Sequence, residues 1–537
     1  MGGQRTIATQ DLAGERVSAR PEGGQTGAIA RGVARAAAII MLGNVLSRLL
    51  GYVRGAVIAA YFGTGPEVRG YFGALKIQTS LYDLLVSGVI SAAFIPVFSA
   101  IRDDDEEFRR VGSTVLTATV AAMLVAMAAL ELLAGDAVAL IVHDSDPLVG
   151  RTSVVALRLM APAVVFLGAS GVLTALLYAR QRFIYPAFTP AIFNLSIVAA
   201  AVCLHGVGTL GVRSLVLGVV GGACAQVVLQ TLGLRRVRLR PALALRHPRV
   251  RQIARLYWPV LLGLIITQIQ VLVDLGFASS TGRGLAYLTN ATNIYQLPLG
   301  IVATAMSLAS LPTLSRLEGA EFRSTLSRGL LITLMLIVPA VNICLVMPRP
   351  VIELLLHTGN FTTTDTLNTA EALRYYTPGL GFAALDQLLI FAFYARNDTR
   401  TPVIVGVISI AFYLVVALLT LHPLSFRGLA LADAAKQISH ASILYVLLRR
   451  RQGRFAELGI RGTAGKVLIA GLALGAFYAL ALRLAGQDWV SGKLHAGLFL
   501  IVIGGGGGAL YLAVLAAWRV PELTMWRSRL SRRLARA

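Results

Sequence analysis

The sequence predicts an all-α integral membrane protein of about 14 transmembrane helices, with two six-helix lobes related by an internal repeat and two C-terminal helices. Three observations carry that expectation. First, 56% of the 537 residues are hydrophobic and only 14% are charged, whereas soluble domains carry roughly 25% charged residues. Second, apolar segments recur near 34–62, 70–100, 111–134, 152–179, 188–204 and 212–233, and again near 253–279, 284–314, 324–347, 367–395, 401–421 and 428–448. Two more follow near 464–485 and 494–518. At 1.5 Å per residue, segments of this length span most or all of a bilayer core. Third, the chain repeats itself. Tyr178-Ala179-Arg180 with Pro186 returns as Tyr394-Ala395-Arg396 with Pro402, an offset of about 216 residues. Ser91, Ala93, Pro96 and Ser99 return as Ser307, Ala309, Pro312 and Ser315, and the Leu-Arg-Arg at Leu234 returns at Leu448. Six helices per unit is an even number, so both units enter from one side and are related by an axis along the membrane normal, as in transporters.

These segments set the domain boundaries. Residues 1–33, polar and rich in Gly, Ala and Arg, are expected to form a disordered cytoplasmic tail, being too long and hydrophilic for a signal peptide. Residues 34–233 form the N-lobe, 234–252 a basic cytoplasmic loop, 253–450 the C-lobe, 451–518 the last two helices and 519–537 a basic cytoplasmic tail. Of the 49 Lys and Arg residues, about 35 fall on the side of the termini and every second loop, and about eight on the other. The loop 234–252 alone holds Arg235, Arg236, Arg238, Arg240, Arg246, Arg249 and Arg251. The positive-inside rule then places both termini and this loop in the cytoplasm. The net charge of +23 is therefore topological and faces anionic lipid headgroups. No nucleic-acid partner is expected, because no aromatic-interleaved basic domain accompanies the arginines.

The first segment carries the candidate site. Arg48 and Arg54 lie near the middle of Met41–Phe62, where a charge costs about 3 kcal/mol on insertion scales and normally faces a wet cavity or a partner. Asn44, Ser47, Arg48, Gly51, Arg54 and Gly55 share one helical stripe, with Leu, Ile, Val and Ala opposite. The second segment adds Lys76, Thr79, Ser80, Asp83 and Ser87 at the same spacing. In the second unit the stripe is Thr267, Gln270 and Asp274, then Thr289, Thr292, Asn293 and Gln296. Lipid satisfies none of these groups, so the four polar faces are expected to share one central cavity, basic on the first lobe and mostly neutral on the second. The competing reading makes them interhelical glue, with Lys76 and Asp83 neutralising each other. Arg158, Glu371, Arg374, Asp386, Asp433 and Lys436 are read as structural span charges.

Other chemistry is thinly supported. Gly504–Gly508 lacks the Lys-Ser/Thr of a phosphate loop and reads as small-residue helix packing. The acidic run Asp103–Glu107 reads as a solvated loop. Cys203, Cys224 and Cys344 lack CxxC spacing, so neither a disulfide framework nor a metal site is expected. Asp144 with Asp146 is the nearest approach to a clustered acidic site of a polyprenyl-lipid-dependent transferase. The chain carries no nucleotide-binding motif or HExxH, and no enzyme activity or bound cofactor is expected.

Ser47-Arg48-x-x-Gly51-x-x-Arg54 followed by Ala59-x-x-Phe62-Gly63 resembles the first-helix signature of the MurJ/MviN family, lipid II flippases of the MOP exporter superfamily. Ser91-x-Ala93-Phe94-Ile95-Pro96-Val97, Leu311-Pro312-x-Leu314-Ser315 and Gly359-Asn360-Phe361-Thr362 with Asp365 fit in order. So does Tyr394-Ala395-Arg396-Asn397-Asp398-x-x-Thr401-Pro402. The resemblance implies alternating access, a central cationic cavity and a groove from the last two helices for the polyprenyl tail. It further implies an inner-membrane location and a role in peptidoglycan biosynthesis beside cell-wall synthesis machinery. It assigns pyrophosphate binding to Arg48 and Arg54, and the polar stripes add Ser47, Lys76, Asp83, Asn293 and Gln296 as further candidates in the substrate cavity. Asp274 resembles a position tied to sodium in some members, but helix 401–421 holds no Asn or Asp to complete such a site. The expected driving force is the membrane potential or an ion gradient. The chain departs from the family at Gly55, where an acid is usual, at Gln78-Thr79 for Pro-Asn, at Tyr82 for Arg and at Asn293 for Arg. The alternatives these departures keep open are an exporter of another lipid-linked oligosaccharide, a MATE-like drug exporter or a non-transporting scaffold.

Overall fold

A computed structural model describes residues 23–87, 90–207, 210–235, 237–314, 317–396, 398–453, 460–486 and 492–520. The first 22 residues of the expected N-terminal tail, residues 521–537 of the C-terminal one, and Ser315 and Asn397 of the family motifs lie outside them. The described elements are helical throughout. The N-lobe comprises α1 (Gly23–Phe62), α2 (Pro66–Tyr82), α3 (Ile95–Ala100), α4 (Asp105–Ile141), α5 (Pro147–Ala179), α6 (Ile184–Leu204) and α7 (Arg213–Gly233). The C-lobe comprises α8 (Pro248–Ser280), α9 (Gly284–Leu314), α10 (Gly319–Val346), α11 (Pro348–Leu356), α12 (Thr363–Tyr394), α13 (Arg400–Leu424) and α14 (Phe426–Gln452). Beyond it lie α15 (Ile460–Ala485), α16 (Lys493–Phe499) and α17 (Gly506–Ala517), the last two joined by a wide π turn. Ten of the described helices are long and apolar enough to cross a membrane.

Two expectations are corrected. The expected tail is helical from Gly23 onward, since a helix nucleated in the apolar span extends at little cost per added residue. The second apolar segment is not one helix. Two π segments, Asp83–Ser87 and Ile90–Phe94, separate α2 from α3. There Val86 presses on Gly171 of α5, where a Cβ would meet Val86 Cγ1 at 2.1 Å, so the widened turns let backbones pack closely.

Helix starts follow local chemistry. Asp104 accepts the amides of Glu106 and Glu107 at 3.0 and 2.9 Å, which turns the acidic run into the cap of α4. Asp146 accepts the Leu148 amide ahead of α5, and Thr362 with Asp365 forms a reciprocal capping box on α12. The loop after α7 lies along α4, whose Ser113, Thr114 and Thr117 hydroxyls accept the Arg240, Ala244 and Ala242 amides.

The repeat read from the sequence has a packing counterpart in each lobe. The Arg180 guanidinium stacks over Phe108 at 4.2 Å, and that of Arg396 over Phe322 at 4.0 Å. Each of these arginines lies within two residues of the end of a long helix, α5 or α12, and each of those helices carries an internal proline, Pro162 or Pro378.

The lobes meet at the end of the molecule that holds few arginines. There Gly63 and Gly359 adopt left-handed φ values of 61° and 59°, which favour glycine. A Cβ on Gly63 would stand 2.6 Å from the Asn360 carbonyl oxygen, and one on Gly359 would stand 2.1 Å from that of Ala60. The Asn360 amide donates to the Ala60 carbonyl at 2.8 Å, and its side chain donates to the Tyr61 carbonyl at 2.6 Å. The Thr64 hydroxyl donates to Asp365 at 2.6 Å, and Tyr287 of α9 donates to the same oxygen at 3.2 Å.

Candidate functional site

Between the lobes, α1 turns its polar stripe toward α6 and α9. The Arg48 guanidinium donates to the Gln296 carbonyl of α9 at 3.1 Å, and Asn194 of α6 donates to the Ser47 carbonyl at 3.1 Å. Gly300 of α9 leaves the room Arg48 occupies, since a Cβ there would fall 2.0 Å from its Nε. A cavity of about 390 Å³ opens onto Arg48 and Arg54, with Ser47, Asn194, Asn293 and Gln296 among its walls. Asn44, Gly51 and Tyr52 complete the α1 side, and Tyr52 anchors its hydroxyl on the Leu355 carbonyl at 3.0 Å.

A second cavity of about 290 Å³ shares Arg54, Asn293 and Gln296 with the first and reaches Lys76, Asp274 and Tyr376. Asp274 accepts a hydrogen bond from the Tyr413 hydroxyl of α13. Lys436 pairs with Asp433 at 2.7 Å and lies 5.7 Å from the centre of the Tyr413 ring. A phenol and an ammonium thus stand beside Asp274.

The structure brings Ser47, Arg48, Arg54, Asn293 and Gln296 to one cavity, and Lys76 and Asp274 to its neighbour. Asp83 is not among the residues lining either, because it opens the first π segment, where the turn widens and the face established by α2 is lost. Asn194, Tyr52 and Gly300 were not singled out from the sequence. A lone asparagine in the apolar run of α6 was the available signal for the first.

Two departures from the family pattern fall on touching residues. A Cβ on Gly55 would lie 3.2 Å from the Asn293 side-chain nitrogen. The acid missing at position 55 and the arginine missing at 293 therefore belong to one contact, and their joint loss leaves the charge of that contact balanced.

The acidic pair Asp144 and Asp146 is occupied otherwise: Arg69 reaches Asp144 at 3.1 Å and Asp146 at 3.6 Å. Further span charges pair as well, Glu371 with Arg374 at 3.5 Å and with Arg427 at 3.2 Å. Asp386 lies 2.7 Å from His440 Nδ1.

The family model described as Lipid II flippase MurJ matches residues 58–500. A protein of Rhizobium meliloti (strain 1021) named probable lipid II flippase MurJ is 28% identical over 466 residues, covering 83% of this chain and 85% of its own. The lipid II flippase MurJ of Burkholderia cenocepacia is 27% identical over 429 residues, 76% of this chain and 82% of its own. Among solved structures, lipid II flippase MurJ in an inward closed conformation superposes with a TM-score of 0.76 at 22% identity, covering 88% of this chain and 98% of that one. A multidrug resistance MATE family transporter of the MOP superfamily, in an inward-facing conformation, gives 0.61 at 15% identity over 76% and 94%. A family match over most of the chain, a shared two-lobed fold and helices fit to cross a bilayer converge on one assignment: this multi-pass membrane protein belongs to the MurJ family of transporters.

Proposed function

We propose that the protein carries lipid II, an undecaprenyl-pyrophosphate-linked peptidoglycan precursor, from the inner to the outer leaflet of the bacterial plasma membrane by alternating access. The observation that carries this reading is the placement of Arg48 and Arg54 in one inter-lobe cavity whose other lining residues are uncharged, mostly amides and hydroxyls. A guanidinium offers a planar fork of donors that matches phosphate oxygens, and a low-dielectric chamber strengthens the attraction. Lys76, in the adjoining cavity, adds a point charge. Release requires a weaker grip in the outward state, because a ligand held equally in both states shifts nothing.

The cytoplasm is the side of both termini and of the 234–252 loop, which supports the location in the inner membrane. Cell-wall synthesis enzymes are the natural consumers of the flipped lipid. The inside-negative membrane potential is a sufficient source of direction. Each negative charge moved outward gains about 2.3 kcal/mol per 100 mV. A cationic cargo of the MATE kind fits less well, because Asp274 is already met by Tyr413 and the cavities hold two arginines and a lysine.

Translocation of labelled lipid II by the purified protein in proteoliposomes tests the reading, with complementation of cells depleted of their own flippase as the check in vivo. Movement of labelled lipid II at the rate of protein-free vesicles would reject it. Reporter fusions after Ala537 and within 234–252 are expected to read cytoplasmic, and an external signal from either would reverse the orientation.

A further inference from the structure

We propose that the cavity between α2, α5 and α7, at the arginine-poor end of the N-lobe, binds a phospholipid whose headgroup joins a phosphodiester to an ammonium, as in phosphatidylethanolamine. The cavity measures about 520 Å³ and is lined by Glu67, Leu148, Arg151, Val155, His205 and Arg213, among others. It lies outside the inter-lobe site and shares no lining residue with it.

Arginines are scarce at this end, and several are engaged: Arg69 with Asp144, Arg427 with Glu371, and Arg283 with Asp365 at 3.9 Å. Among the described residues Arg151 and Arg213 form neither an ion pair nor a side-chain hydrogen bond, yet both face this cavity. Two guanidinium forks on one cavity suit a phosphate. Arg213 also opens α7, whose first amides add to the positive field.

Glu67 faces the same cavity. Its carboxylate stands in the same lining and would repel a simple anion, but it would pair with an ammonium attached to the phosphate. The lining is thus complementary to a zwitterion with both charges on one headgroup.

An apolar track adjoins the charged groups. Leu148, Thr152, Val155 and Leu159 recur at i, i+4, i+7 and i+11 on one face of α5, and Leu148, Val155 and Leu159 are 43%, 43% and 47% exposed. This track leads from the cavity along the span, where an acyl chain would lie. A free phosphate metabolite would make no use of it.

The experiment is native mass spectrometry of the full-length protein titrated with phosphatidylethanolamine, phosphatidylglycerol, phosphatidylcholine, glycerophosphoethanolamine and inorganic phosphate. Phosphatidylethanolamine is expected to bind at least about tenfold more tightly than the two tail-less probes, and the R151Q/R213Q variant is expected to lose about tenfold. E67Q is expected to erase the preference for phosphatidylethanolamine over phosphatidylglycerol while keeping the latter. R151K/R213K, which keeps the charge and loses the fork, should retain part of the binding, and the single Gln variants give the same reading if the double variant is unstable. Undiminished binding by R151Q/R213Q, equal affinity for all three lipids, or equally good competition by inorganic phosphate would each overturn the proposal.

Discussion

Thr64 donates to Asp365 at 2.6 Å, one of the hydrogen bonds that join the two lobes, between the turn after α1 and the first turn of α12. The Gly359-Asn360-Phe361-Thr362 motif and Asp365 therefore act together as a latch. Glycines 63 and 359 admit the crossing backbone, Asn360 spans it, and Asp365 both caps its own helix and accepts from the opposite lobe. Thr64→Val deletes the crossing bond and spares the capping box. It is expected to shift the open–closed balance by about five- to 150-fold, the effect of about 1–3 kcal/mol. Spin-label distances between the lobes measure this, and an unchanged distribution would show that the bond carries no closing energy.

Arg54 is shared by both cavities, and its loss should be felt in transport before folding. Arg54→Ala is expected to lower lipid II affinity about ten- to a hundredfold, the worth of one charge-assisted bond. Arg54→Lys should be partly tolerated, since the charge stays and the fork is lost. Transport per purified molecule is the measurement, and unchanged specific activity for Arg54→Ala would rule out the anion-binding role.

Gly300 tests the same site from the other lobe. A methyl group there claims the space of the Arg48 guanidinium. Gly300→Ala is therefore expected to displace Arg48 and to reduce transport nearly as far as Arg48→Ala, while helix content is kept or raised. Full activity in Gly300→Ala would mean that Arg48 works in another rotamer.

Accessibility distinguishes the two faces of α1. Cysteines at Ser47 and Gly51 should react with a polar thiol reagent faster than cysteines at Leu49 or Val53, which are 50% and 38% exposed on the apolar side. Equal labelling on both faces would contradict a wet chamber.

At the arginine-rich end, the hydroxyl and amide of Thr401 and the Arg451 guanidinium hold Asp398 at a pKa of about 2, below its ordinary 3.8. A lowered folded pKa gives stability that is present above about pH 4 and is lost as the pH falls toward 2. Asp398→Asn should lower the unfolding temperature at pH 7, with a gap that closes below pH 3. A gap independent of pH would mean that the amide keeps every bond the carboxylate makes.

The sequence made the helices legible because hydropathy and the 216-residue offset are local or periodic signals. Arg48, Arg54, Asn293 and Gln296 were recognisable as one polar set for the same reason: charges and amides in apolar spans have few places to go. The sequence did not reveal which residues touch. Arg48 meets Gln296 across 248 residues of chain, and Gly55 with Asn293 looked like two unrelated departures until packing made them one. The spacing that links Asp83 to Lys76 was extended through a π turn, where the period changes. Gly300 left no trace at all, as a glycine reserved for a distant arginine looks like any other small residue in a span.

The seam at Asn360 also keeps time. Its amide donates to the Ala60 carbonyl at 2.8 Å, a bond between lobes that their separation breaks. Deuterium uptake at that one amide would then count opening events in the resting protein, with no cargo, dye or label present. Comparing the count with and without lipid would tell whether the cargo opens the transporter or waits for it to open.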